Sequence, residues 1–255
     1  MFGLERNSPE IVQLNPAMLR NLLSTCRAGQ GPPIAVHATM PHNLSRTILC
    51  VLAAMWPISA QKLDQLIPRN VSLDQVTYQG RSAIRVIAAP DAANGESYAI
   101  LKDTKFRDGT IEVDLAGKPA AGAAAAARGF IGMAFRLADN RYEYIYLRPT
   151  NGRAEDQVRR NHSTQYSSHP DFDFARLRKE SPEKYESYVD LQPGVWTKYR
   201  ITIEGRKARL YVHDAEQPSL IVDDLKMEPR EGGVALWVGP GTEGYFANLK
   251  ITPGS

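Results

Sequence analysis

Cysteine is nearly missing from this chain. Only Cys26 and Cys50 occur in 255 residues, and both fall within the first sixty. Beyond residue 60 there is therefore no disulfide framework and no cysteine metal site, so stability there has to come from packing. Long apolar runs are also scarce, the one compact example being Thr47–Ala60, which is too short to span a bilayer comfortably. A concentrated charge of one sign is lacking as well. Lys and Arg number 31 against 28 Asp and Glu, giving a net charge of +3 dispersed among mixed signs. That excludes the dense basic face of a nucleic-acid binder while leaving an acidic glycan compatible. No Gly-rich phosphate loop, Cys-His nucleophile pair or Gly-x-Ser-x-Gly elbow occurs. Helical periodicity is almost absent too.

The first sixty residues do contain a leader. Arg46 precedes the apolar run, and the small pair Ser59-Ala60 closes it, which is the anatomy of a secretory signal peptide with its apolar region at 47–60. A long stretch precedes Arg46, whereas Met40 opens an ordinary leader, MPHNLSR. The expectation is a true start at Met40 and a mature chain from about Gln61, secreted or periplasmic, with no membrane span. The competing readings of the run are a buried core helix or a membrane anchor. A lipoprotein reading of Cys50 fails because Leu49 stands where a small residue is needed. Roughly 195 residues remain, enough for one domain with a sizeable core.

From Val71 onward, short runs of period-two alternation are separated by Gly, Pro, Asn and Asp clusters. Strands are expected at 71–79, 82–88, 97–102, 109–116, 129–138, 141–148, 196–204, 207–213, 219–223, 233–238 and 244–252. Tyr78-Gln79-Gly80-Arg81, Ala138-Asp139-Asn140-Arg141 and Glu204-Gly205-Arg206 supply hairpin turns between neighbours. So many amphipathic strands indicate an all-β, two-sheet antiparallel sandwich or a closed barrel. Two segments break the pattern. The stretch 116–128 is alanine-rich and reads as a surface loop; the stretch 149–192 is long and polar, with one or two short helices possible in 174–188 around Pro182. A long insertion inside a compact domain usually carries function or is disordered.

Three stretches together resemble the concanavalin A-like lectin/glucanase superfamily, the laminin-G-type jelly rolls. They are the run from Phe106 to Asp114 (FRDGTIEVD), the run from Trp196 to Gly205 leading into Ala208–Val212, and the ending Gly233–Val238 followed by Tyr245–Ile251. The ending is most similar to the bacterial domains called 3-keto-disaccharide hydrolase-like. The resemblance implies a curved jelly-roll sandwich with one long polar insertion, whose concave face binds an oligo- or polysaccharide. It implies no particular reaction, since this fold hosts lectins, hydrolases, lyases and adhesion modules.

Alternation in 141–148 places Tyr142, Tyr144, Tyr146 and Arg148 on one strand face and Ile145 and Leu147 on the other. In the preceding run Ile131, Met133, Phe135 and Leu137 share the aliphatic face, which leaves Gly132, Ala134 and Arg136 beside the tyrosines. Aromatic rings with polar tips and guanidinium forks suit a sugar, and the small residues would leave room for one. Trp237 alternates with Val234, Leu236 and Val238 and can join this surface. The competing reading is a cross-strand ladder or a second core covered by the insertion.

Candidate catalytic groups are fewer. Glu112 and Asp114 share a strand face and match the first part of a laminarinase-type Glu-x-Asp-x-x-Glu strand, but Ala116 and Gly117 follow where the closing glutamate belongs. In the insertion, His162 with Tyr166 could serve as base and acid, with Arg159, Arg160 and Asn161 holding an anionic or hydroxylated group. The competing reading there is an ordinary solvated loop. His162, His169, Asp171 and Asp173 lack any known metal spacing, and calcium, the one cation their oxygens favour, prefers more carboxylates. No cofactor is expected. The sequence thus supports an exported saccharide-binding domain, with a glycan-cleaving enzyme in the same cleft or a non-catalytic adhesion module as rivals; oligomeric state is not legible.

Overall fold

A computed structural model of the chain describes residues 62–90, 92 and 96–254. The leader and the start at Met40 lie outside the described residues.

The described chain folds as an all-β jelly-roll sandwich. Its strands are β1 (Leu66–Arg69), β2 (Val71–Tyr78), β3 (Arg81–Ala88), β4 (Tyr98–Leu101), β5 (Gly109–Pro119), β6 (Ile131–Ala138), β7 (Arg141–Leu147), β8 (Thr164–His169), β9 (Glu186–Ser187), β10 (Thr197–Glu204), β11 (Lys207–Val212), β12 (Leu220–Val222), β13 (Gly233–Val238) and β14 (Thr242–Pro253). Two short helices, α1 (Gln157–Asn161) and α2 (Phe174–Glu180), lie in the insertion. Two antiparallel sheets of seven strands form, in the orders β1-β4-β13-β6-β7-β8-β9 and β12-β11-β10-β5-β14-β3-β2.

Alternation decides which side chains meet between the sheets. Ile131, Met133 and Phe135 of β6, Ile145 and Leu147 of β7 and Val234, Leu236 and Val238 of β13 point inward from the first sheet. Ile111, Val113 and Leu115 of β5 and Tyr199, Ile201 and Ile203 of β10 oppose them from the second. All are buried, and each such side chain contributes about 1.5–3 kcal/mol relative to exposure. The hairpins are the expected ones. Gln79 and Gly80 both take positive φ (46° and 77°), as do Asp139 and Asn140 (52° and 55°), which matches the turn twist to that of the strands.

The 149–192 insertion differs from its expected loop form. It adds β8 beside β7 and β9 beside β8, so it extends the first sheet instead of lying over it. α2 ends at Glu180, before Pro182, and Asp173 caps its start by accepting from the Arg176 N–H at 2.8 Å. β8 escapes a reading by alternation because it is polar on both faces (TQYSSH) yet buried along nearly its whole length.

A second departure is a bulge in β6. Phe135 pairs with Glu143 and Ala138 with Arg141, so Arg136 and Leu137 together oppose Tyr142. Arg136 adopts φ of 56° there. The bulge exchanges the two faces at this point: Leu137 packs on the tyrosine side, and Arg136 turns away from it.

Candidate functional site

The tyrosines stand where alternation puts them, on the face of the first sheet that points away from the core. They form a closed aromatic layer there. Tyr142, Tyr144 and Tyr146 expose 0, 6 and 3% of their area, and Tyr98 and Trp237 are equally buried. Ring centroids step from Tyr142 to Tyr144 by 5.4 Å and on to Tyr146 by 5.6 Å, while Trp237 lies 4.8 Å from Tyr144 and 4.9 Å from Tyr146. β8 completes the layer, because His169, Ser167 and Gln165 pair with Tyr142, Tyr144 and Tyr146. The His169 ring stacks on Tyr142 at 4.9 Å. Burial raises the pKa of the Tyr142, Tyr144 and Tyr146 phenols, so they stay protonated. Gly132 offers no room for a ligand, since the space a Cβ would take is filled by the β7 backbone, with the Ile145 carbonyl oxygen 2.1 Å from it.

At the end of this layer the stripe becomes polar. The guanidinium of Arg148, 5% exposed, lies among the rings of Phe130, Tyr146 and Phe174, each between 5.3 and 5.6 Å from it. One nitrogen, Nη1, donates to Glu186 Oε1 at 2.8 Å and to the His162 carbonyl at 3.2 Å. The other, Nη2, donates to Gln165 Oε1 at 2.9 Å and Tyr146 Oη at 3.1 Å. Glu186 also receives Arg178, through Nε at 3.0 Å and Nη2 at 2.5 Å, and His162 Nε2 stands 3.6 Å from its Oε2. Burial alone would raise the Glu186 pKa, but hydrogen bonds from Arg178 and Arg148 outweigh it and hold the carboxyl below its ordinary range. The imidazole of His162 is pushed down, chiefly by burial and further by Arg178 and Arg148 against the pull of Glu186. A neutral, half-buried base thus stands beside an ionised carboxylate. Phe130 and Phe174 are the half-exposed rings here, and Arg178 is 39% exposed.

The histidine shifts give a sign for acid stability. With a folded pKa below the ordinary imidazole value of about 6.5, His162 binds fewer protons folded than unfolded. Its contribution is full above that value and is lost as pH falls from there through the lower folded pKa. His169, also pushed down by burial, adds to the same slope. Urea midpoints should be level above neutrality and fall in mildly acidic buffer, and His162→Gln should flatten part of that fall; an unchanged slope in the variant would remove His162 as its source.

Other expected site residues lie elsewhere. Tyr166 pairs with Ile145 across the β7–β8 ladder, so it faces the sandwich core. There its hydroxyl donates to Glu143 Oε1 at 2.7 Å and accepts the Lys226 N–H, and it is not brought to His162. Arg136, fully buried by the bulge, donates to the carbonyls of Arg107 and Gly205 at 2.7 Å, to Asp108 at 2.8 Å and to Glu143 at 3.3 Å. Burial raises the Glu143 pKa against the opposing bonds from Tyr166, Met227 and Arg136.

Glu112 and Asp114 project from the outer face of the second sheet, on the side of the sandwich opposite the tyrosines. They cannot share a cleft with that stripe. Glu112 pairs with Lys250 at 3.2 Å and Asp114 with Arg81 at 2.7 Å, along a groove of about 370 Å³ that Lys198, Arg200 and Tyr211 also line. In α1, Asn161 accepts from Gln157, and Arg160 donates to the Ala154 carbonyl, while Arg159 reaches Asn151 and Thr150 at 3.0 to 3.2 Å. The Asn151 amide in turn donates to the same His162 carbonyl that receives Arg148. Asp171 pairs with Arg141 and Asp173 caps α2, and among the described residues no group of three or more His, Cys, Asp or Glu is placed to hold a metal ion.

The sequence reading missed Glu186, Phe130, Phe174, Arg178 and Gln165. Their signal lies in the Arg148 hydrogen bonds and ring contacts, which join segments far apart in the chain.

No protein-family model matches the sequence, and no curated protein matches it. Among solved structures the chain is similar to carbohydrate binding module CBM66 from Bacillus subtilis, with 13% identity over 72% of this chain and 93% of that one and a TM-score of 0.46. It is also similar to a protein of unknown function with galectin-like fold from Bacillus subtilis, with 8% identity, coverage of 74% and 89% and a TM-score of 0.47. A beta-1,3-glucanase from Mycobacterium marinum gives 13% identity, coverage of 76% and 94% and a TM-score of 0.43. Each is a likeness of strand arrangement; the chemistry of this chain rests on its own side chains.

Proposed function

We propose that this chain is an exported saccharide-binding domain whose ligand docks at the Arg148 end of the tyrosine layer, against Phe130, Phe174, His162 and Arg178. The observation that carries this reading is the pair of half-buried rings flanking a buried arginine whose two Nη nitrogens are both hydrogen-bonded. A sugar ring has an apolar face and a hydroxyl rim, and this arrangement offers an aromatic surface for the first and the 39% exposed Arg178 as a donor for the second. The tyrosine layer then acts as the backing that holds Arg148 in register. Export is supported by the leader at 47–60, and no helix among the described residues is long and apolar enough to cross a membrane.

A second reading, glycan cleavage at the same place, is favoured by one observation, the neutral His162 beside the Glu186 carboxylate. It has the form of a general base with an orienting acid. One experiment separates the two. Soluble oligosaccharides are titrated calorimetrically while new reducing ends and unsaturated uronates are assayed. Binding without product, weakened more than tenfold by Phe174→Ala at an unchanged melting temperature, is the expected result. Product that disappears in His162→Ala makes the chain an enzyme; no binding of any glycan at millimolar concentration removes the saccharide reading.

A further inference from the structure

Around the proposed sugar position, cations outnumber the carboxylates that touch them. Arg148 and Arg178 share the single carboxylate of Glu186. Among the described residues, the Arg159 guanidinium finds the Asn151 side chain and the Thr150 carbonyl and hydroxyl, and that of Arg128 the carbonyls of Ala125 and Ala127. The backbone carbonyl of Arg128 accepts from Thr150 at 3.4 Å, and Thr150 accepts from Arg159. Arg159 is tied through Asn151 to the His162 carbonyl, on which Arg148 also converges, and Phe174 lies between Arg148 and Arg178. Arg128 and Arg159 are close enough to repel one another: the Arg128 guanidinium is held below its ordinary pKa, by burial first and then by Arg159. Of the acids beside α1 and α2, Asp156 caps with the Arg159 N–H at 2.6 Å, Asp173 caps with the Arg176 N–H and Glu180 pairs with Arg176, while Glu183 acts on His162.

We infer that the ligand of this site is an acidic saccharide, whose carboxylate is gripped by Arg128 and Arg159 while its ring lies on Phe130 and Phe174. The inference rests on the saccharide reading and adds the substrate class. Guanidinium forks match a carboxylate with two parallel hydrogen bonds, and an added anion relieves the repulsion between Arg128 and Arg159. A neutral sugar would leave that repulsion in place.

The test compares one ring chemistry with and without charge: oligogalacturonate against its full methyl ester, titrated calorimetrically into the intact chain at two salt concentrations. The free acid should bind at least tenfold more tightly than the ester, with that advantage shrinking as salt rises. Arg159→Gln and Arg128→Gln should each reduce the acid-to-ester ratio severalfold, with circular dichroism and melting temperature reporting that the fold is kept. If the ester, or neutral glucans and galactans, bind as well as the acid, this inference is overturned and the saccharide reading stands. Failure of every glycan, charged and neutral, overturns both.

Discussion

Replacing Arg148 by alanine should lower the unfolding free energy by about 3 kcal/mol, the low end of the cost of breaking a buried ion pair. The reasoning starts from what Arg148 leaves behind. Its partners Glu186, Gln165 and Tyr146 are all buried, and each loses a charge-assisted or buried hydrogen bond at once. Glu186 retains Arg178, which keeps the loss from the top of the range. Lysine should not rescue the site, because a point ammonium cannot send two bonds from each of two nitrogens nor lie flat among Phe130, Tyr146 and Phe174. Urea denaturation is the measurement. The pair Arg148→Met with Glu186→Leu should cost less than the sum of the two single changes, because the bond they share is lost only once. A wild-type midpoint for Arg148→Ala would mean that the clamp holds nothing.

Where a strand is amphipathic, its sequence states its position. Every expected strand forms, because Val, Ile and Leu alternate with polar residues in runs such as Gly109–Pro119 and Thr197–Glu204, and the turns between them carry Asp, Asn and Gly where positive φ is needed. Three strands were not legible: β1, four residues with Pro68 inside it, and β8 and β9, which lack an apolar face. The last two are held by pairing to β7 and by a polar network, and a network of Gln165, Glu186 and Arg148 has no periodic trace in the chain. The bulge was equally hidden. One extra residue in β6 reverses Arg136 and Leu137, and no local pattern in FRLA announces it.

Much the same division applies to the site. Alternation gave the tyrosines their correct face, since Ile145 and Leu147 lie on the aliphatic side of the same strand. Period two says nothing about whether the second face is covered, and here that face is a second apolar layer instead of an open platform. Tyr166 followed the wrong partner because its facing depends on the β7–β8 register, where it stands opposite Ile145, and register is a pairing property of two segments. His162 and Arg148 were singled out from their types alone, and the structure brings them together through Glu186. That carboxylate lies in 174–188, where the sequence suggests only one or two short helices.

The substitution Gly132→Ala should be as damaging as the loss of Arg148, although it adds only a methyl group. A Cβ at this position would stand 2.1 Å from the Ile145 carbonyl oxygen, 2.6 Å from the Tyr146 Cα and 2.8 Å from its Cβ. Mostly backbone of the adjacent strand is struck, so no flexible side chain can yield and the β6–β7 ladder must part. Overpacking typically costs about 1–3 kcal/mol, and a clash with strand backbone belongs at or above the top of that range. The reason for glycine lies in the rung itself. Gly132 pairs with Trp237 on one side and Tyr146 on the other, and those two rings close over it with centroids 4.9 Å apart. Spreading the rung would move Tyr146, whose hydroxyl receives Arg148 at 3.1 Å, and so carry the damage to the ligand end of the layer. Near-ultraviolet circular dichroism should report loosened Trp and Tyr packing together with the fall in the urea midpoint. Gly233→Ala is the control, since its Cβ would stand 3.3 Å from the flexible Ile100 Cγ2 and no nearer than 3.6 Å to the Leu137 backbone, and should cost less than about 1 kcal/mol. If the two variants unfold alike, the tight rung is not what fixes the aromatic layer, and Arg148 must be held by its polar partners alone.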